Sequence, residues 1–124
     1  MKLGFVSAIL DQSNYEEMMD IASELGFECV EVACWPAGKA ERRYAGVSHI
    51  DAERVLEDDA YAKHILDYSK EKEVEISSLA FYPNTMDGNL EKRAAAIGHL
   101  KNLIRASAKL GVNMVSLAST TFLR

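Results

Sequence analysis

A single carboxylate stands inside an apolar run near the start of the chain. Glu31 lies between Val30 and Val32, and because successive side chains of a β-strand point to opposite faces, it faces away from both valines. If that face is an interior one, the carboxylate needs a partner, since burying an unpaired charge is costly. A substrate hydroxyl and a neighbouring basic side chain would both serve. We expect a structural ion pair, because charge networks occur inside proteins without any catalytic role.

Further candidate residues follow the ends of predicted strands. Trp35, Lys39 and His49 come after the strand that holds Glu31, and Tyr82 comes after the next strand. In parallel sheets, ligands bind beyond the carboxyl ends of the strands, so these side chains are candidates for ligand contact. The alternative is that the two aromatic rings pack against the protein and the basic side chains are solvated.

The histidines and cysteines form no recognisable metal or nucleophile motif. No two histidines stand at metal-ligand spacing, and His64 and His99 both fall in predicted helices, away from strand ends. Cys29 and Cys34 are the only cysteines; they fit neither a CxxC motif nor a disulfide framework, and neither has an adjacent histidine to activate it. Reduced thiols in a cytoplasmic protein are the expected state.

The composition is that of one globular domain, which we expect to span residues 1–124. Of the 124 residues 48% are hydrophobic, and 14 basic against 19 acidic side chains give a net charge of −5. This acidic balance argues against a dedicated nucleic-acid surface. No apolar stretch approaches the roughly 20 residues that cross a bilayer, and the first residues do not resemble a signal peptide. We therefore expect no membrane association and a cytoplasmic location.

Strand and helix patterns alternate along the chain. Ser13 and Glu16 have the spacing of a capping box at the start of the first helix, Asn89 is a suitable cap for the third, and Gly26 and Gly111 are suitable helix ends. The order βαβαβαβ implies parallel strands joined by right-handed crossovers. Strands are predicted at 3–7, 28–33, 74–80 and 112–118, and helices at 13–25, at 51–72 with a break near 57–59, and at 89–110.

Two parallel architectures fit this order: an open, doubly wound sheet and part of a closed barrel. A dinucleotide-binding open sheet needs a glycine-rich turn after its first strand, so that the backbone can approach the pyrophosphate. The corresponding turn here, residues 7–13, has no glycine, and no GxxxxGK[ST] phosphate loop occurs in the chain. The sequence therefore favours an α/β fold, a parallel (β/α) partial barrel of about four strands.

The segment at 31–51, EVACWPAGKAERRYAGVSHID, resembles the xylose isomerase-like TIM barrel family of sugar and sugar-phosphate isomerases and epimerases. The resemblance extends over essentially the whole chain, and the part from Cys-Trp-Pro to His-Ile-Asp is its most specific piece. Further similar segments are KLGF at 2–5, LGF at 25–27, AFYPN at 80–84 and LGV at 110–112.

The resemblance implies an isomerase or epimerase in which a divalent metal of the Mn, Mg or Zn class polarises a carbonyl while carboxylates move the proton. It implies that Trp35 and Tyr82 wall a sugar pocket and that Lys39, Arg42, Arg43 or His49 contacts hydroxyl or phosphate oxygens. Glu31 is a further candidate for substrate contact if its face lines the barrel interior. The family's metal ligands usually lie on the later strands, so no metal ligand is assigned in this chain.

An eight-stranded barrel takes roughly 250 residues, and only four strands are predicted here. We therefore expect the N-terminal half of a barrel, inactive alone. The alternative is a non-catalytic fragment or oligomerising module, since a half-barrel leaves its first and fourth strands as open edges and exposes its inner apolar face. That alternative predicts a homodimer through the sheet edges.

Overall fold

Strands and helices alternate in the computed structural model, which describes residues 1–36 and 46–118. The first strand runs directly into a short 3-10 turn, Ser7–Ile9, and the other strands lead into longer connections. The elements are β1 (Gly4–Val6), α1 (Tyr15–Glu24), β2 (Cys29–Ala33), α2 (Ala52–Glu57), α3 (Asp59–Lys72), β3 (Glu75–Phe81), α4 (Leu90–Leu110) and β4 (Val115–Leu117). None of these helices is long and apolar enough to span a bilayer.

The four strands form one parallel sheet in the order β1-β2-β3-β4. Each strand lies beside its neighbour in sequence, and right-handed crossovers between successive parallel strands put their helices on the same face of the sheet. This arrangement confirms the predicted fold class, a four-stranded parallel α/β partial barrel. Within the described residues, β1 and β4 each have one neighbouring strand.

The two faces of the sheet differ in chemistry. Val30, Val32 and Leu79 are fully buried and belong, together with the apolar sides of the helices, to a single core. On the opposite face, which we call the inner face, Glu31 pairs in register with Ser78. The expectation of an apolar inner face was therefore wrong, because the middle of this face carries a carboxylate and hydroxyl groups.

Helix α1 begins one residue later than predicted. The cap is Asn14, whose Oδ1 accepts a hydrogen bond of 2.8 Å from the backbone N–H of Glu17, while the Glu17 carboxylate accepts one of 3.2 Å from the backbone N–H of Asn14. The predicted Ser13–Glu16 capping box was therefore wrong. The pairs Ser13–Glu16 and Asn14–Glu17 have the same spacing, and asparagine caps a helix as well as serine does.

The other helix boundaries follow local signals in the sequence. Asp58 breaks the predicted 51–72 helix: it ends α2, and its side chain caps α3 by accepting from the backbone N–H of Tyr61 at 3.0 Å. Asn89 caps α4, and Gly111, with φ of +69°, ends it, so both predictions are confirmed. The fourth strand is shorter than predicted and begins at Val115.

Candidate functional site

The inner face of the sheet brings together three oxygen-bearing side chains from three neighbouring strands. Oε2 of Glu31 on β2 accepts hydrogen bonds from Oγ of Ser78 on β3 (3.0 Å) and from Oγ of Ser116 on β4 (2.8 Å), and the two Oγ atoms are 3.2 Å apart. A register shift between Val30 and Glu31 places Ser78, and not Ser77, opposite the carboxylate. We call Glu31, Ser78 and Ser116 the inner-face cluster.

The hydrogen bonds of this cluster determine what it can still bind. The predicted ion pair for Glu31 was wrong, since in the described part of the chain the carboxylate contacts hydroxyl groups and no basic nitrogen lies within 4.0 Å of it. Each serine hydroxyl has a single hydrogen, and both hydrogens are used within the cluster: that of Ser78 towards Glu31, and that of Ser116 towards Glu31 or Ser78. The remaining capacity of the cluster is therefore to accept hydrogen bonds, from a ligand hydroxyl or from a cationic group.

A buried histidine connects the ends of β1 and β2. Nε2 of His49 lies 3.2 Å from the carbonyl oxygen of Leu10, which can only accept, so Nε2 carries the hydrogen and Nδ1 accepts from Ser7 Oγ at 2.8 Å. Ser7 Oγ in turn accepts from the backbone N–H of Ala33 at 2.8 Å. Burial lowers the pKa of His49, which favours this neutral form. We call this arrangement the Ser7–His49 brace.

The brace decides how His49 could take part in ligand binding. Both of its ring nitrogens are engaged with protein atoms, and its side chain is 5% exposed. A direct contact between His49 and a substrate would therefore need one of these hydrogen bonds to be exchanged. The predicted substrate contact of His49 stays a prediction, and the role that the geometry supports directly is to hold the ends of the two strands together.

The segment that follows β2 returns to that strand. Cys34 and Ser48 form an antiparallel bridge, the backbone N–H of Trp35 donates to the carbonyl oxygen of Val47 at 3.2 Å, and that of His49 donates to the carbonyl oxygen of Ala33 at 2.9 Å. Both ends of the predicted 34–50 loop are thus fixed at the carboxyl end of β2. Lys39 lies outside the described residues.

An aromatic group occupies the same end of the sheet. The ring of Trp35 packs edge-on against Phe81, with centroids 5.7 Å apart, and Phe81 contacts the His99 ring at 4.5 Å. Nε2 of His99 lies 2.6 Å from the carbonyl oxygen of Cys34. The indole Nε1 of Trp35 is buried and has no hydrogen-bond partner within the described ranges.

The position of His99 corrects the expectation that it lies away from strand ends. Helix α4 packs back on the sheet and carries His99 to the end of β2. A signal for this placement exists in the sequence, because His99 stands three residues after Ala96 and four before Leu103, both of which are buried. Residues with these spacings share one face of a helix, so His99 belongs to the stripe that faces the sheet.

Tyr82 directly follows β3 and is half-buried. No ring contact joins Trp35 to Tyr82 in the parts of the chain that the structure describes. The pocket wall that the resemblance implies for these two rings stays a prediction.

The described residues do not fit a complete site for a divalent metal. Residues 1–36 and 46–118 contain no group of three or more His, Cys, Asp or Glu side chains placed to hold an ion. The inner-face cluster supplies one carboxylate, and the ring nitrogens of His49 are occupied. Since Mn, Mg or Zn sites usually need several such ligands, the described residues alone do not make up such a site.

Comparison with solved structures finds the same fold in a larger protein. The crystal structure of the probable 3-DHS dehydratase AsbF, involved in petrobactin synthesis in Bacillus anthracis, matches with a TM-score of 0.59 and 17% sequence identity. The match covers 94% of this chain and 38% of that one, so the present chain spans well under half of the AsbF length. At this identity the likeness concerns the fold alone. A comparison with curated proteins finds no match.

The sequence itself carries the family assignment. The model of the xylose isomerase-like TIM barrel family matches residues 19–122. This range includes β2, β3 and β4, all three residues of the inner-face cluster, and the segment around Trp35 and His49. Because the match extends over most of its length, the chain belongs to the xylose isomerase-like TIM barrel family.

Proposed function

We propose that this chain supplies the N-terminal half of a barrel enzyme that isomerises or epimerises a small sugar or sugar phosphate. The observation that carries the proposal is the inner-face cluster. Glu31 is a carboxylate on the face that lines the interior of a closed barrel, and its free capacity is to accept hydrogen bonds. A sugar hydroxyl is a suitable donor to such a group. The activity belongs to the complete barrel, and the chain alone is expected to be inactive.

The proposed roles of the other residues follow from their positions. Trp35 and Tyr82 lie at the carboxyl ends of β2 and β3, the end at which barrel enzymes bind their substrates. Lys39 is proposed to contact a hydroxyl or phosphate oxygen. His49 is proposed to contact substrate only after one bond of the Ser7–His49 brace is exchanged. A divalent metal of the Mn, Mg or Zn class belongs to this proposal through the family alone.

The experiment is proton exchange in a reconstituted barrel. The chain would be combined with the remaining strands of a family barrel and incubated with ketoses, aldoses and sugar phosphates in D₂O with Mn²⁺. An isomerase or epimerase moves a proton at the carbon beside a carbonyl, so we expect deuterium at that carbon by ¹H NMR. A folded reconstituted barrel that exchanges no proton in any of these substrates would contradict the proposal.

A matched pair of variants tests the part played by Glu31. Glu31→Gln keeps an oxygen that accepts from both serines but removes the charge, so kcat/KM should fall by about tenfold or more, the loss expected for one charge-assisted hydrogen bond. Glu91 lies on the exposed first turn of α4, so the control variant Glu91→Gln should leave kcat/KM unchanged. Equal activities of the two variants would remove Glu31 from the site.

The second candidate is a non-catalytic assembly module, and the sheet edges favour it. Strands β1 and β4 each have one neighbour in the described structure, and an unpaired parallel edge can accept a strand from another chain. Sedimentation of the purified chain, with and without Mn²⁺ or Mg²⁺, measures self-association directly. A stable monomer under all conditions would exclude assembly with a second copy and leave only assembly with a different chain.

A further inference from the structure

The inner face carries a charge that no other described residue of that face neutralises. Glu75, the first residue of β3, has Lys2 as its ion-pair partner. In the described part of the chain, Glu31 has only the hydroxyls of Ser78 and Ser116 as partners. The described strands contain no lysine or arginine. Glu31 is also partly buried and lies beside Val6 in the register of β1 and β2. Among the described residues, the middle of the inner face is therefore negative and holds no cation.

The consequence of this charge depends on how a barrel closes around it. Two four-stranded halves make eight strands when β4 of each pairs with β1 of the other, which puts the two β2 strands on opposite sides. The interior of an eight-stranded barrel is just wide enough for side chains to fill it. In two identical halves related by a two-fold axis, the Glu31 side chains would lie at the same height and face each other. Like charges at close range in a poorly hydrated interior repel strongly.

A different partner would reverse the sign of this interaction. The inner-face cluster can only accept further hydrogen bonds, because both serine hydrogens are already used within it. Ammonium and guanidinium groups have only donors and carry a positive charge, so they complement the cluster in both respects. A half-barrel with a lysine or arginine opposite Glu31 would thus bury a matched pair in place of two like charges.

We propose that Glu31 prevents two copies of this chain from closing into a barrel and directs the inner face towards a partner half-barrel that carries a lysine or arginine opposite it. This inference rests on the half-barrel geometry of the proposed function. It assigns a partner chemistry to the inner-face cluster and makes self-assembly through that face unfavourable.

The test is a charge exchange between two copies of the chain. Wild type, Glu31→Lys and a 1:1 mixture of the two would be compared by sedimentation velocity, with a mass tag on one chain to identify mixed species. Each protein alone is expected to be monomeric, because both self-pairings oppose like charges. The mixture is expected to form a 1:1 dimer at least about tenfold tighter than either self-association, as complementary charges across an interface allow. The difference should shrink as salt is added.

Further variants keep the proposal falsifiable if Glu31→Lys fails to fold. Glu31→Gln removes the charge but keeps an acceptor for both serines, and it should self-associate about tenfold more strongly than wild type. Glu91→Lys changes the same charge on the exposed start of α4, and its mixture with wild type should remain monomeric.

Three outcomes would overturn the proposal: a wild-type dimer as tight as the mixture, a monomeric mixture of two folded proteins, or a Glu31→Gln variant that associates no more strongly than wild type. None of these outcomes bears on catalysis, because the experiment measures no activity. Conversely, a reconstituted barrel that fails to exchange protons would leave the assembly role of Glu31 intact.

Discussion

Replacing Ser7 by alanine tests the Ser7–His49 brace. The Ser7 side chain is fully buried, and its hydroxyl accepts from the backbone N–H of Ala33 and donates to Nδ1 of His49, each at 2.8 Å. In Ser7→Ala both groups lose their partner in a place that water does not reach. Leaving one buried polar group unsatisfied costs about 1–3 kcal/mol, so two such groups should lower the free energy of unfolding by about 2–6 kcal/mol.

Urea unfolding followed by circular dichroism measures this loss. With a slope of about 2 kcal/mol per molar urea, typical of a small domain, the midpoint should fall by about 1–3 M. Ser77→Ala is the matched control, because Ser77 on β3 is exposed and its hydroxyl makes one hydrogen bond, to the carbonyl oxygen of Val30 at 3.0 Å. That variant should lose about 1 kcal/mol or less. If Ser7→Ala is no less stable than Ser77→Ala, the brace contributes nothing and the reasoning is wrong.

Three other predictions concern separate parts of the molecule. Burial lowers the pKa of His49 below its usual value of 6.5, so the unfolded state binds the proton more readily than the folded state. The contribution of neutral His49 to stability is therefore complete above about pH 6.5 and falls as the pH drops. In His49→Gln, the free energy of unfolding should fall less steeply between pH 7.5 and 5.5 than in the wild type. Burial raises the pKa of the Cys34 thiol to about 12, so iodoacetamide at pH 8 should label the half-buried Cys29 first in the native protein, and equal rates by mass spectrometry would contradict this. Gly4→Ala would place a Cβ within 2.5 Å of Cys29 Sγ and should lower the free energy of unfolding by about 1–3 kcal/mol. Gly98→Ala in α4 meets no atom within 4 Å, and in the same urea assay it should raise the free energy of unfolding by about 0.5–1 kcal/mol.

Local signals were sufficient for the order of elements. The alternation of strands and helices, the cap at Asn89, the end at Gly111 and the break near Asp58 each depend on a few neighbouring residues. The capping box predicted at Ser13 was one residue too early. Two equivalent spacings one residue apart can be distinguished only when the packing of the helix is known.

The candidate site could not be predicted in the same way, because it depends on register between distant strands. Glu31 was identified from its position between two valines, but its partners are 47 and 85 residues further along the chain. Which serine faces Glu31 is decided by the register shift beside Val30, which no property of a single strand reveals. His99 was misjudged for a related reason: its helix had to be docked on the sheet before its ring could be placed at the end of β2.

The closure of the segment after β2 has a consequence for chain length. Because the bridge between Cys34 and Ser48 brings its two ends together, the entropy cost of closing the chain between them depends only weakly on the number of residues there. Doubling that number costs only about 0.6 kcal/mol. Insertions or deletions between positions 36 and 46 are therefore compatible with an unchanged sheet. A change of chain length at this point should leave the strands, and the cluster they hold, in place.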